Sequence, residues 1–139
     1  HEGKRGCTSV GALEARYRGN LGRAVTPPTR LSGHIVQGQV DGVGRYKGST
    51  PEGEGRRVVF EVPASLRRYM VEIGSVSLDD ISLTLNTLGA EHDGVCDIGL
   101  MIIPHTWTHT TLSTLSDGDR VNVEVDVIAK YVEAQCRTK

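Results

Sequence analysis

The sequence is short of several things. Its three cysteines, Cys7, Cys96 and Cys136, lie far apart and form no Cys-x-x-Cys pair. That spacing indicates neither a disulfide framework nor a zinc site; it fits a reducing cytoplasm, with the thiols packed as small hydrophobes. Charge of one sign is scarce too, with 16 Lys and Arg against 17 Asp and Glu and a formal net charge of -1. No nucleic-acid partner is therefore expected, and a small molecule or another protein is. No apolar run approaches the roughly 18 residues that cross a bilayer, and there is no signal-peptide core, so no membrane association is expected. His92, His105 and His109 lack a metal spacing with a carboxylate and read as surface or turn residues, giving no metal site. The chain begins at His1 rather than Met, as expected after processing or for a fragment.

What is present fits one domain, since 139 residues suffice for a single core. Residues 1–30 read as a leader or linker, with flanking glycines and the pair Pro27-Pro28, and residues 31–135 as the folded unit. The stretch from Gly33 to Gly44 has the β-branched content of a strand, yet glycines leave much of it as bare backbone. Such a strand serves either as an edge where a flat ligand meets main-chain groups or as a bulged barrel corner, and both uses stay open.

Residues 46–55 then read as a Gly/Pro/Ser-rich loop, and Val58, Phe60 and Val62 alternate with Arg57, Val59 and Glu61 as a strand. A short helix is expected over 63–71, with Leu66, Tyr69 and Met70 on one face. Strands follow at 75–78 and 81–86 around a turn at Asp79-Asp80, then at 95–103 after a turn at His92-Asp93-Gly94. Residues 106–112 read as a further short helix, and 121–127 as a last strand with four valines on one face. Within 81–86, Ser82, Thr84 and Asn86 project together, opposite Ile81, Leu83 and Leu85. This row of short polar side chains is either the solvent side of a half-buried strand or a ligand surface. Six strands with one or two short helices and closely spaced turns predict an all-β fold, a six-stranded antiparallel Greek-key β-barrel.

Four ordered motifs carry a more specific signal: Gly33 to Gly42, Gly74 to Thr84, Ile103-Pro104-His105-Thr106 with Thr110-Thr111-Leu112, and Gly118 to Glu133. In order and spacing they resemble a barrel of the riboflavin synthase (alpha-chain type) and lumazine-binding family over residues 30 to 133, following its C-terminal barrel most closely. Residues 19–25 are similar to the linker between that family's two barrels, so the resemblance makes the leader before them the remnant of a preceding barrel. The resemblance implies a shallow site for 6,7-dimethyl-8-ribityllumazine, riboflavin or FMN, in a homo-oligomer (dimer or trimer) or with a second barrel. It also implies that two lumazines stack between barrels and that a four-carbon unit passes from one to the other, giving riboflavin and a pyrimidine, with no metal or separate cofactor. Carried over by position, Gly38, Val40, Ser82, Thr84, Ile103 and Thr106 bind the ligand, and Gln39, Ser82 and Thr84 take the catalytic positions. Catalysis of this kind works by placement of two rings.

Four departures bear on activity. Gln39 stands where the family has a second histidine; an amide hydrogen-bonds but does not titrate near neutral pH, so acid-base work is lost there. His34, matching the first histidine, reads as a structural hydrogen-bonding group. Ile73 replaces a common lysine and Asp80 a turn glycine, while Ser82 occupies the place of the first barrel's active-site cysteine. The readings are a riboflavin-synthase-type transferase or a relative with altered chemistry, a lumazine- or flavin-binding module without turnover, a barrel repurposed for another planar substrate, and a scaffold barrel with a degenerate site. Trp107, the one tryptophan, is expected beside the pocket or at a subunit contact.

Overall fold

The computed structural model describes Gly19, Asn20 and residues 34–137. The leader expected over 1–30 lies outside the described residues except for Gly19 and Asn20. Six strands, β1 (Gly42–Glu52), β2 (Gly55–Pro63), β3 (Ser75–Leu78), β4 (Ile81–Leu88), β5 (Val95–Ile102) and β6 (Arg120–Val125), close an antiparallel barrel in the order β1-β2-β5-β4-β3-β6. This is the six-stranded barrel that the alternation predicts, and closure gives every strand a neighbour on both sides over part of its length.

The inward parity of each strand fills the barrel. Val58, Phe60 and Val62 from β2 meet Ile98, Leu100 and Ile102 from β5, Val76 and Leu78 from β3, Leu85 from β4, and Val121, Val123 and Val125 from β6, all at most 1% exposed. Tyr46 packs edge-on against Phe60, ring centroids 5.6 Å apart. Burying each such side chain contributes about 1.5–3 kcal/mol, so the interior rather than the ladder holds the barrel closed. Leu66 in the 3-10 turn Ala64–Tyr69, the short helix expected after Pro63, and Met70 just beyond it are buried in the same core.

Two hairpins turn on residues with positive φ at both central positions, Asp79-Asp80 (46° and 66°) and Asp93-Gly94 (49° and 79°), as a two-residue turn of the primed type requires. A third, Gly53-Glu54, has its glycine at φ 60°.

Four sequence expectations are corrected. The strand expected over 33–44 begins only at Gly42, and residues 34–41 run outside the barrel as an irregular strap. Gly38 at φ 72° breaks the extended path; the Gln37 N–H goes to the Glu124 side chain, and only at Asp41 does a strap amide reach the β6 main chain, donating to Val123 O. The loop expected over 46–55 is mostly strand: β1 continues to Glu52, and Thr50, Pro51 and Glu52 pair with Arg57, Arg56 and Gly55. Pro51 is tolerated because β1 pairs with β6 only over Gly42–Arg45, leaving its far half with an open side for a residue that lacks an N–H.

The helix expected over 106–112 divides into α1 (Pro104–His109) and a 3-10 turn (Thr111–Thr114), separated by Thr110 in an extended conformation, its hydroxyl accepting from Leu112 N. The last strand stops at Val125, and Val127, read as its fourth valine, opens helix α2 (Val127–Arg137). Asp126 Oδ1 accepts from Ile128 N at 2.9 Å, the N-cap signal that the valine alternation hid. The edge of α2 bearing Lys130 and Glu133 ties back through ion pairs to Asp41 and Arg68, while Ile128, Tyr131 and Val132 stay exposed.

Candidate functional site on the outer face

Strand parity that turns Val76, Leu78 and Leu85 inward turns Ser75, Ser77, Ser82 and Thr84 outward. Register then aligns them across strands: Ser77 stands opposite Ser82 on one side and Glu124 on the other, and Ser75 opposite Thr84. A polar row, Glu124-Ser77-Ser82, thus crosses β6, β3 and β4 on the outside of the barrel. Two of its members are nevertheless hidden, Ser77 at 1% exposure and Glu124 at 5%.

The strap lies against this row. Ser82 Oγ meets His34 Nδ1 at 2.6 Å, and Glu124 Oε1 accepts the Gln37 N–H at 2.6 Å. Asp41 fastens the far end of the strap: its N–H donates to Val123 O at 2.8 Å, its carboxylate accepts from Val125 N at 2.9 Å, and Lys130 pairs with it. Between these ties Gly38 and Gln39 are exposed and Val40 is half-buried. Among the described residues the Gln39 side chain makes no hydrogen bond, so its amide stays free to meet a ligand.

Thr84 lies two positions along β4 from Ser82, on the same face and exposed. Asn86, next in the row, turns its carbonyl to Met101 N at 2.7 Å, where the β4–β5 register shifts. Because β5 runs antiparallel to β4, Ile103 leaves the sheet at the end where β4 begins. It is 60% exposed, and Thr106 follows on α1, half-buried, its carbonyl accepting from the Thr110 hydroxyl. The same end holds the Asp79-Asp80 turn, and Asn20 bridges it to α1's successor: Asn20 Nδ2 donates to Asp79 O (2.9 Å) and Thr111 Oγ1 (2.7 Å), and Asn20 Oδ1 accepts from Thr111 N (3.0 Å). The structure therefore brings Ser82, His34 and the strap with Gly38, Gln39 and Val40 together, with Thr84 beside them, and sets Ile103 and Thr106 at the adjoining end.

Sequence reasoning missed Glu124, Ser77 and Asn20. The first two sit in ordinary strand alternation, where a polar outward residue signals solvent, and only the strap's path reveals their burial. Asn20 carried a faint signal, its place beside glycine in a linker-like run. His105 and His109 are exposed and stack on each other at 4.0 Å, and Trp107 packs partly against the core with Arg56 over its ring at 4.7 Å.

One titrating group near this end is displaced. Burial pushes the Asp79 carboxyl above the ordinary value of 3.8; the Asn122 N–H on its Oδ1 (2.7 Å) pulls it down, and Asp80 pushes it up. Away from the row, a shallow cleft of about 620 Å³ lies between Ala64, Ser65, Arg67, Arg68, Glu91 and Gly94, and no residue expected at the site lines it. Its arginines are engaged locally, Arg67 with Gly89 O and Arg68 with Ser65 O and Glu133. Among the described residues no helix is long and apolar enough to cross a membrane.

The family model described as Lumazine binding domain matches residues 37–126, from the strap to the end of β6. A riboflavin synthase of Mycobacterium tuberculosis (strain ATCC 25618 / H37Rv) is 46% identical over 131 residues, covering 94% of this chain and 64% of that protein. One of Photobacterium leiognathi is 43% identical over 114 residues, covering 82% and 50%. The chain thus spans between half and two-thirds of the length of these relatives. Among solved structures, LumP complexed with 6,7-dimethyl-8-(1'-D-ribityl) lumazine superposes with a TM-score of 0.64 at 21% identity, covering 86% of this chain and 60% of that one. LumP complexed with riboflavin gives 0.54 at 20%, covering 86% and 62%. At that identity the likeness is one of fold.

Proposed function

The chain belongs to the lumazine-binding domain family, and from that premise we propose that its outer rim binds 6,7-dimethyl-8-ribityllumazine or a flavin. The observation that carries this reading is the juxtaposition of an exposed arch, Gly38-Gln39-Val40, with the outward hydroxyls of Ser82 and Thr84. Peptide groups of the arch and the Gln39 amide suit the donor and acceptor edge of a pteridine, and short hydroxyls suit a ribityl chain. Ile103 and Thr106 supply an apolar surface and a further hydroxyl at the adjoining end.

Such a rim is open on one side, so a second barrel is needed to stack a partner ring. The exposed Ile128, Tyr131 and Val132 on α2 support a homo-oligomer as the source of that barrel. In the assembly two lumazines placed in register undergo dismutation, one passing a four-carbon unit to the other to give riboflavin and a pyrimidine, with Gln39, Ser82 and Thr84 in the catalytic positions and no metal or separate cofactor required. Gln39 relays no proton, which makes turnover slow and favours a second reading, a binding protein that holds its heterocycle unchanged.

Fluorescence titration of the protein with ribityllumazine, riboflavin and FMN tests the proposal. Saturable changes with at least one are expected, weakened by Thr84→Ala and Gln39→Ala. A flat response to all three removes the reading. Riboflavin formed at an ordinary enzymatic rate would instead show that an amide suffices at position 39.

A further inference from the structure

The arch that carries Gly38, Gln39 and Val40 is pinned at both ends to three consecutive residues of β6. On one side the Gln37 N–H donates to Glu124 Oε1 at 2.6 Å; on the other the Asp41 N–H donates to Val123 O at 2.8 Å, and its carboxylate accepts from Val125 N at 2.9 Å. Only three residues separate the pins, and Gly38 at φ 72° turns the chain between them. The arch therefore has little freedom of its own, and its height above the hydroxyl row is set by the reach of the Glu124 side chain.

Glu124 is an odd choice for stability alone. It stands on the outer face of the barrel, yet it is 5% exposed, and a buried carboxylate is costly unless its hydrogen bonds repay the lost hydration. What it receives is a main-chain N–H of the strap, a charge-assisted bond stronger than a neutral one. Its row mates are Ser77, 1% exposed, and Ser82, which is held by His34, so the pin and the hydroxyl face share one register. A shift of the strap by one residue would bring a different amide to Glu124 and move Gln39 relative to Ser82 and Thr84.

From this we infer that Glu124 is a positioning residue for the binding rim: it clamps the Gln37 amide so that the Gly38-Gln39-Val40 arch is ordered before ligand arrives. The inference rests on the proposed lumazine or flavin reading, in which the arch meets the heterocycle. Affinity gained in this way comes from preorganisation, because the ordering is complete in the free protein.

Two readouts separate the clamp from the ligand reading. Deuterium exchange at the Gln37 to Val40 amides of the free protein reports the clamp, and fluorescence titration with ribityllumazine reports its consequence. Glu124→Ala is expected to speed exchange in this segment and to weaken ribityllumazine binding by about tenfold or more, the scale of a lost charge-assisted hydrogen bond. Glu124→Gln, whose amide oxygen still accepts the Gln37 N–H, is expected to restore protection and most of the affinity. Glu124→Asp keeps the charge but shortens the reach; it is expected to behave like the alanine variant, and serves in its place if that variant does not fold.

Unchanged exchange in both Glu124→Ala and Glu124→Asp overturns the clamp. Faster exchange with unchanged affinity overturns the positioning role. If the parent protein binds no ribityllumazine, riboflavin or FMN while Glu124→Ala still loosens the strap, the ligand reading fails and the positioning role falls with it, leaving only a structural tie.

Discussion

Three glycines in the run that opens the barrel answer to different constraints, and substituting alanine at each separates them. A Cβ on Gly44 would lie 2.9 Å from Glu61 O, 3.2 Å from Val123 Cγ2 and 3.3 Å from Val62 Cγ1, and two of those atoms belong to fully buried valines. The carbonyl is part of the β1–β2 ladder, so relief requires β1 to move away from β2. Overpacking of this sort costs about 1–3 kcal/mol, offset by roughly 0.5–1 kcal/mol of lost unfolded-state freedom, so Gly44→Ala is expected to destabilise by about 1–2 kcal/mol.

At Gly42 the nearest atom is Leu66 Cδ1 at 3.1 Å, the end of a side chain that can rotate, then Pro63 Cγ at 3.4 Å. There the entropic gain offsets a small repacking, and Gly42→Ala is expected within about 0.5 kcal/mol of the parent. Gly38 has open space around it but sits at φ 72°, where a Cβ costs about 1–2 kcal/mol, so Gly38→Ala strains or re-forms the arch. Because the strap is outside the barrel, that change should fall on ligand affinity more than on the global transition.

Urea unfolding followed by far-UV circular dichroism gives the three free energies, with thermal midpoints moving about 3–4 °C per kcal/mol for a chain of this size. The expected order of stability is Gly42→Ala at or above Gly38→Ala, and both above Gly44→Ala. A Gly44→Ala protein as stable as the parent would refute the reasoning that close strand approach, rather than ligand contact, demands glycine there.

Other expectations follow from single groups. Asp79, with its carboxyl raised by burial, holds its proton to higher pH when folded than when unfolded; stability therefore falls as pH rises through that window and stays lower above it. Asp79→Asn keeps an acceptor for Asn122 N and is expected to raise the urea midpoint near pH 7, the advantage vanishing at about pH 3; an equal or lower midpoint at neutral pH refutes this. Cys96 is fully buried and its thiol pushed up by desolvation, against a smaller opposing pull from Arg67, whereas Cys136 is exposed. Iodoacetamide followed by peptide mapping should therefore label Cys136 readily and Cys96 only on unfolding, and rapid native labelling of Cys96 would contradict the packing. Gln39→His returns a titrating group to the arch; turnover of ribityllumazine is expected to rise by about a hundredfold or more, with a pH dependence near neutrality that the parent lacks, and an unchanged rate would place proton transfer elsewhere.

How far the chain could be read without its fold differs from element to element. Period-two runs at Val58–Val62, Ser75–Leu78, Ile81–Asn86 and Val121–Val125 announce inward and outward faces directly, because a strand's two faces alternate strictly, and the structure keeps Val58, Phe60, Val62, Val76, Leu78, Leu85, Val121, Val123 and Val125 inward and buried. The strap and the long β1 were illegible for the opposite reason. Val36 and Val40 look like strand residues but find no strand partner, while Pro51 and the glycines near it look like a loop but are paired by β2. Pairing is a property of what lies alongside, and local preference does not carry it. Helix α2 was hidden in the same way, its first valine continuing an alternation that Asp126 had already capped.

By itself, then, the sequence determined the barrel, the outward row of Ser82 and Thr84, and the family to which the motifs point. Only the tertiary structure decided that Glu124 and Ser77, polar residues at outward positions, are buried, and that Asn20 ties Asp79 to Thr111. The physical reason is that alternation encodes direction relative to the sheet, whereas burial depends on which distant segment covers that side. Here the cover is the strap, joined to the row across 48 residues at Ser82 and 87 at Glu124, separations over which no local pattern carries information.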